Sequence, residues 1–104
     1  MSDKEFQSDD MLFEWDENKN RLNKIKHGIS FETAVNIFLD ENIIELYDEE
    51  HSDFEDRWQA IGKAGNILFV VYTERGEKTR IISARKATAE ERSWYYGNCD
   101  IYFA

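Results

Sequence analysis

The chain has 104 residues, with three Trp, five Tyr, seven Phe and no Pro, which makes one small domain with enough apolar mass for a core. A net charge of −9 argues against a uniformly basic nucleic-acid binder, and no apolar run approaches the roughly 18 to 20 residues that cross a bilayer. The single cysteine, Cys99, excludes an internal disulfide and fits a reducing cytosol, and the opening ten residues lack the basic and apolar blocks of a signal peptide.

Residues 1–10 are polar and are expected to be disordered, ahead of a domain over 11–97 and a tail over 98–104. Met11–Trp15 reads as a short strand or extended lead-in. Asp16 can cap a helix over 17–27, with Leu22 and Ile25 on its inner side and Gly28 as terminator. Ser30 caps a second helix over 31–39, whose Phe31, Ala34, Val35, Phe38 and Leu39 make a helical apolar stripe. Ile43–Tyr47 is the first clear strand, and an acidic loop follows over 48–56. Trp58–Gly62 is the next strand, and Gly65-Asn66 marks a tight turn. Ile67–Thr73 is apolar nearly throughout, as in a central strand covered on both faces. Thr79–Arg85 returns as the last long strand, and Thr88-x-x-Glu91 is a capping box opening a helix that runs to Tyr96 and ends at Gly97. The order gives an α+β fold, with two N-terminal helices packed on a small antiparallel sheet and a C-terminal helix.

The average charge conceals a segregation. Residues 40–56 carry nine acids and no Lys or Arg, whereas 57–86 carry seven bases against two acids. Residues 18–31 add four more bases and no acid. Two readings follow: a basic face on an acidic protein, or segments that neutralise each other across the sheet.

The basic residues concentrate on the predicted sheet. Strict alternation places Ile81, Ser83 and Arg85 on one side of the last strand and Arg80, Ile82 and Ala84 on the other. A guanidinium held on a rigid strand is costly unless it meets a carboxylate, a phosphate or water. Arg57, Arg75, Arg80 and Arg85 therefore form a phosphate site, or Arg80 and Arg85 pair with acids such as Glu45, Glu90 or Glu91 in structural bridges. Arginine matches phosphate oxygens but is a poor base, so proton transfer needs His27, Tyr72 or a carboxylate such as Glu91. Lys26-His27 at a helix end can bind phosphate or move a proton, or His27 can simply bond the last carbonyls. His51 lies among acids without the ligand spacing of a metal motif, so a solvated acidic loop is expected there, and no metal or other cofactor is expected anywhere in the chain.

Several motifs together resemble one family. Phe13-Glu-Trp-Asp-x-x-Lys19-x-x-x-Asn23-x-x-Lys26-His27-Gly28-Ile29-x-Phe31-x-x-Ala34 resembles the opening of the BrnT toxins of bacterial type II toxin–antitoxin systems. Arg57-x-x-x-Ile61-Gly62 is similar to their central motif. Tyr72-Thr-Glu-Arg75-Gly76 and Arg80-Ile-Ile-Ser-Ala-Arg85-x-Ala87, with Glu91 and Tyr95, resemble their C-terminal motif. The resemblance implies a RelE-like fold and a cytoplasmic endoribonuclease that arrests translation. It also implies neutralisation by a ribbon-helix-helix antitoxin of the BrnA type, through which alone the toxin meets DNA. It carries over Arg57, Arg80 and Arg85, together with His27 and Arg75, as site residues. Taken with the reading of the residues, Arg57, Arg80, Arg85 and His27 are the expected catalytic residues, and Lys26, Arg75 and Tyr72 the expected RNA contacts. The alternative is a binding module that uses the same sheet to dock a protein without catalysis.

Overall fold

The computed structural model describes residues 3–100. Six strands form one sheet: β1 (Asp3–Ser8), β2 (Met11–Asp16), β3 (Ile44–Tyr47), β4 (Arg57–Ala64), β5 (Asn66–Arg75) and β6 (Lys78–Lys86). Their spatial order is β1-β2-β6-β5-β4-β3. The helices are α1 (Glu17–His27), α2 (Phe31–Ala34), continued by a 3-10 helix over Val35–Leu39, and α3 (Ala89–Asp100).

Three expectations about elements are corrected. The segment expected to be disordered contains β1, which pairs with all of β2 in an antiparallel hairpin from Asp3↔Asp16 to Ser8↔Met11. Asp9 takes φ 57 at its turn, a conformation Asp tolerates better than most side chains. The sheet is mixed, because β2 runs parallel to β6 through Leu12↔Lys78 and Glu14↔Arg80. The long excursion through helices and meander between these two strands permits that orientation. Finally, α3 continues through Gly97 to Asp100, so the tail expected from residue 98 begins within a helix. Residues 1–2 and 101–104 lie outside the described residues.

Local chemistry explains most boundaries. The Asp16 carboxylate accepts the N–H groups of Asn18 and Lys19, opening α1, and Gly28 closes it at φ 73 with its N–H on the Lys24 carbonyl. Ser30 caps α2 through the Thr33 N–H. Only one α-helical turn follows before the backbone tightens into the 3-10 helix. This brings Ile37 so close to β4 that a Cβ on Gly62 would sit 2.8 Å from the Ile37 Cβ. The capping box forms as expected: Thr88 donates its N–H to Glu91 Oε1 at 2.8 Å, and the Glu91 N–H donates to Thr88 Oγ1 at 3.2 Å.

The main core lies on one face of the sheet. Phe13 and Trp15 from β2, Leu68, Val70 and Tyr72 from β5, and Ile81 and Ala84 from β6 meet Phe31, Ala34, Val35 and Ile37. The apolar stripe expected of the second helix thus faces this core, except that Leu39 turns outward. On the other face α3 covers one end, where Tyr95 joins Ile61, Ile67 and Ala87.

Helix α1 departs from its apolar pattern. Leu22 and Ile25 face solvent at 59% and 77% exposure, while Asn20 and Asn23 are buried. Ladder pairing of β2 with β6 reaches only Arg80, so beyond it the outer edge of β6 needs another partner. Asn23 supplies one: its Nδ2 donates to the Ala84 carbonyl at 2.7 Å, and its Oδ1 accepts the Ala84 N–H at 3.2 Å. Asn20 likewise accepts the Phe31 N–H at 2.8 Å and donates to Glu17 and Glu32. Inward-facing amides replaced the apolar contacts expected at Leu22 and Ile25.

Candidate functional site

The face of the sheet opposite the main core is where the arginines gather. Register makes this explicit, because residues paired across a ladder share a face. Arg57 pairs with Thr73, which pairs with Arg80. One rung on, Gln59 pairs with Val71 and Val71 with Ser83; next, Ile61 pairs with Phe69 and Phe69 with Arg85.

Strict alternation separates Arg80 from Arg85, but a bulge reunites them. Val71 pairs with Ser83 while Tyr72 pairs with Ile81, leaving Ile82 as the extra residue. The phase shift puts Ile81 and Ala84 together in the core and Arg80, Ser83 and Arg85 together on the open face.

Most of these arginines already hold a carboxylate. Arg80 donates to Glu14 at 2.9 Å and to Asp3 at 3.0 Å, with only 15% of its side chain exposed. The Asp3 bond, then that to Glu14, holds its pKa above the ordinary arginine value against the opposing effect of burial. Arg75 grips Glu55 through two bonds of 3.2 Å. Arg85 forms a bidentate pair with Glu91 at 2.8 and 2.9 Å and lies 4.1 Å over the Phe69 ring. It also reaches the Lys86 carbonyl. Of the five N–H donors of a guanidinium, some therefore remain available on Arg85, which is 35% exposed. Arg57 makes no ion pair among the described residues.

The acidic loop over 48–56 lies against this face. The Asp48 N–H donates to the Arg57 carbonyl at 2.9 Å, and Ser52 Oγ accepts the Arg57 N–H at 2.9 Å while donating to the Asp48 carbonyl at 2.6 Å. Thr73 Oγ1 donates to the Asp56 carbonyl at 2.5 Å. These bonds fold the loop over the end of β4, where the arginine field holds Glu55 below the ordinary carboxylate range: Arg75 acts most strongly, by its hydrogen bond, and Arg57 and Arg80 act through space.

Two hollows result. One of about 240 Å³ lies among His51, Asp53, Phe54, Glu55 and Arg57. The other, of about 360 Å³, is walled by Asp48, His51, Arg57, Gln59, Ser83 and Arg85 over an apolar floor of Phe69, Val71 and Ile82. His51 and Arg57 border both.

The sequence placed His51 in a solvated acidic loop and weighed it only as a metal ligand, not as a partner of the arginines. Its Nδ1 lies 2.9 and 3.1 Å from the two carboxylate oxygens of Asp48, which is buried. Burial alone would raise the Asp48 carboxyl, but hydrogen bonds from His51 and Gln59 outweigh it and leave the group below the ordinary range. The available signal was Asp48-x-x-His51 shortly before Arg57, but only the fold brings that segment to the arginines.

Three other expected site residues are not brought there. Tyr72 is 2% exposed in the main core, on the opposite face, with its hydroxyl bonded to Glu45. Burial first, then Glu45, drives its phenol far above the ordinary tyrosine value, so neither RNA contact nor proton transfer suits it. Lys26 and His27 occupy the last turn of α1. Among the described residues, no hydrogen bond or ion pair links either to Arg57, Arg80 or Arg85.

Comparison with known proteins gives these observations a context. A family model described as "Ribonuclease toxin, BrnT, of type II toxin-antitoxin system" matches residues 15–91, from the end of β2 to the capping-box glutamate. The crystal structure of the Brucella abortus ribonuclease toxin BrnT is similar at a TM-score of 0.55 and 29% identity, over 71% of this chain and 92% of that one. No curated protein matches the chain at a significant level.

Proposed function

The chain belongs to the BrnT family of ribonuclease toxins of type II toxin–antitoxin systems, and on that premise we propose that it is a metal-independent endoribonuclease that cuts RNA in the groove between Arg57 and Arg85. The observation that carries this reading is the convergence of these two guanidinium groups on an open hollow with an apolar floor. Phosphate needs the fork, a splayed base needs an apolar or aromatic surface, and both lie within one groove. Phe54, fully exposed beside Arg57, adds a ring on which a base can stack.

Arg57 and Arg85 hold the non-bridging oxygens of the scissile phosphate as negative charge develops there. Arg80 and Arg75, committed to carboxylates, shape the field and flank the strand path. No metal is required, because attack by the substrate's own 2′-hydroxyl needs no activated water. The scaffold is read as RelE-like. Cleavage of cellular RNA in the cytoplasm would arrest translation, and a ribbon-helix-helix antitoxin of the BrnA type would neutralise the toxin by covering this groove.

The competing reading, a docking module without catalysis, draws on the three arginines already paired with acids. One experiment separates them. The purified protein is incubated in excess EDTA with an RNA oligonucleotide and with the same sequence carrying 2′-deoxy sugars. Cleavage of the RNA alone is expected. Activity abolished by EDTA, or retained on the deoxy substrate, would overturn the mechanism, and binding without any cleavage would favour the docking module.

A further inference from the structure

We infer that His51 is the general base of the cleavage reaction and that Asp48 is its positioning residue. The inference rests on the ribonuclease reading above and adds to it the proton acceptor that an arginine groove lacks.

The geometry is that of an oriented imidazole. Asp48 accepts from His51 Nδ1, so the neutral ring carries its proton on Nδ1 and leaves the Nε2 lone pair free. The carboxylate is buried and held by Gln59, whereas the His51 side chain is 59% exposed and borders both hollows. Arg57 stands with it at each hollow, and Arg85 stands in the larger one. A base, an orienting acid and phosphate-binding guanidinium groups thus meet in one groove. His27 and Tyr72 have no comparable placement.

In the reaction, the electron pair of the 2′ O–H bond forms the O2′–P bond as the proton passes to His51 Nε2. The P–O5′ bond then breaks, its electron pair leaves on the 5′-oxygen, and that oxygen takes a proton from solvent. The products are a 2′,3′-cyclic phosphate and a free 5′-hydroxyl, and the imidazolium returns its proton to water. The charged groups around the ring are Asp48 at bonding distance, Asp53 and Glu55 in the smaller hollow, Arg57 in both and Arg85 in the larger. The ring acts in its neutral form, since only then does Nε2 carry the lone pair that takes the proton.

The test uses the full chain, an RNA oligonucleotide of mixed sequence and its 2′-deoxy counterpart as a non-cleavable ligand. His51→Ala and His51→Gln should each lower kcat by about 10² to 10⁴ while leaving affinity for the deoxy oligonucleotide within about twofold. Added imidazole should restore part of the His51→Ala rate and none of the Arg57→Ala rate. Asp48→Asn should slow the wild type but add nothing in a His51→Ala background, since it acts through the ring. Wild-type rates in folded His51 variants would overturn the inference and leave the ribonuclease reading intact. An additive loss in the double variant would remove Asp48 from its role. A wild-type protein that cuts no RNA would overturn both readings.

Discussion

On the helix-covered face of the sheet, Phe13, Trp15, Val70 and Ile81 are sealed from water with no charge among them. On the open face of the same strands, Arg57, Arg80 and Arg85 stand among Asp3, Glu14, Asp48 and Glu91. The first face holds the fold together by removing apolar area from water. The second spends strand positions on charges that must be kept hydrated or paired. The acidic neighbours let a small protein carry converging guanidinium groups with less mutual repulsion, and Arg57 is the member without an ion pair among the described residues. An overall negative charge and an anion-binding groove are therefore compatible, because pairing is local while net charge is a sum.

The sharpest way to break this contrast is to exchange what the faces hold. Trp15→Ala, on the sealed face against Phe6 and Phe31, should destabilise the domain by about 3–5 kcal/mol in urea unfolding. Ser83→Ala on the open face should stay within about 0.5 kcal/mol. Equal losses would mean that both faces are structural.

Arg57→Ala should do the reverse. Stability should hold while the RNA cleavage rate falls by about 10² to 10³, the effect of removing one preorganised donor. Arg57→Lys should recover only part, lacking the fork. An unchanged rate would move the reaction off this face.

Glu91 ties the open face to α3, and pH tests that tie. The Arg85 bond, opposed by burial and aided by Thr88, depresses its carboxyl below the ordinary value. Its stabilisation is thus full above about pH 4.3 and is lost as pH falls through the lower, folded value. Glu91→Gln should cost about 1–3 kcal/mol near neutrality. The difference from wild type should shrink as denaturation is repeated in increasingly acidic buffer. A pH-independent difference would argue that shape, not charge, matters there.

The smallest expected effect concerns β1, which lies outside the span matched to the family. Asp3→Asn removes an exposed partner of Arg80 and should tighten binding of a 2′-deoxy oligonucleotide a few-fold, with a steeper salt dependence. Unchanged affinity would mean that Arg80 stays committed to Glu14.

The residues by themselves determined the local events. Asp16, Gly28, Ser30 and the Thr88–Glu91 box set their helix ends because each solves a backbone hydrogen-bonding problem within a few residues. The apolar run of β5 marked the central strand because burial on both faces leaves no polar alternation. The family was also legible, since its motifs occur in order along the chain. What the sequence could not reveal depended on distant partners. Nothing near Ile82 announces the bulge that carries Arg80 onto the face of Arg85; that register belongs to the pairing of β6 with β5. Leu22 and Ile25 look like an inner stripe until the unpaired edge at Ala84 claims Asn23 instead. His51 looked like one more polar residue of an acidic loop, because its meeting with Arg57 and Arg85 exists only once the loop folds over the sheet. Periodicity and capping act over a turn or two of chain, whereas a reactive groove is assembled from segments whose contact is decided by the packing of the whole sheet.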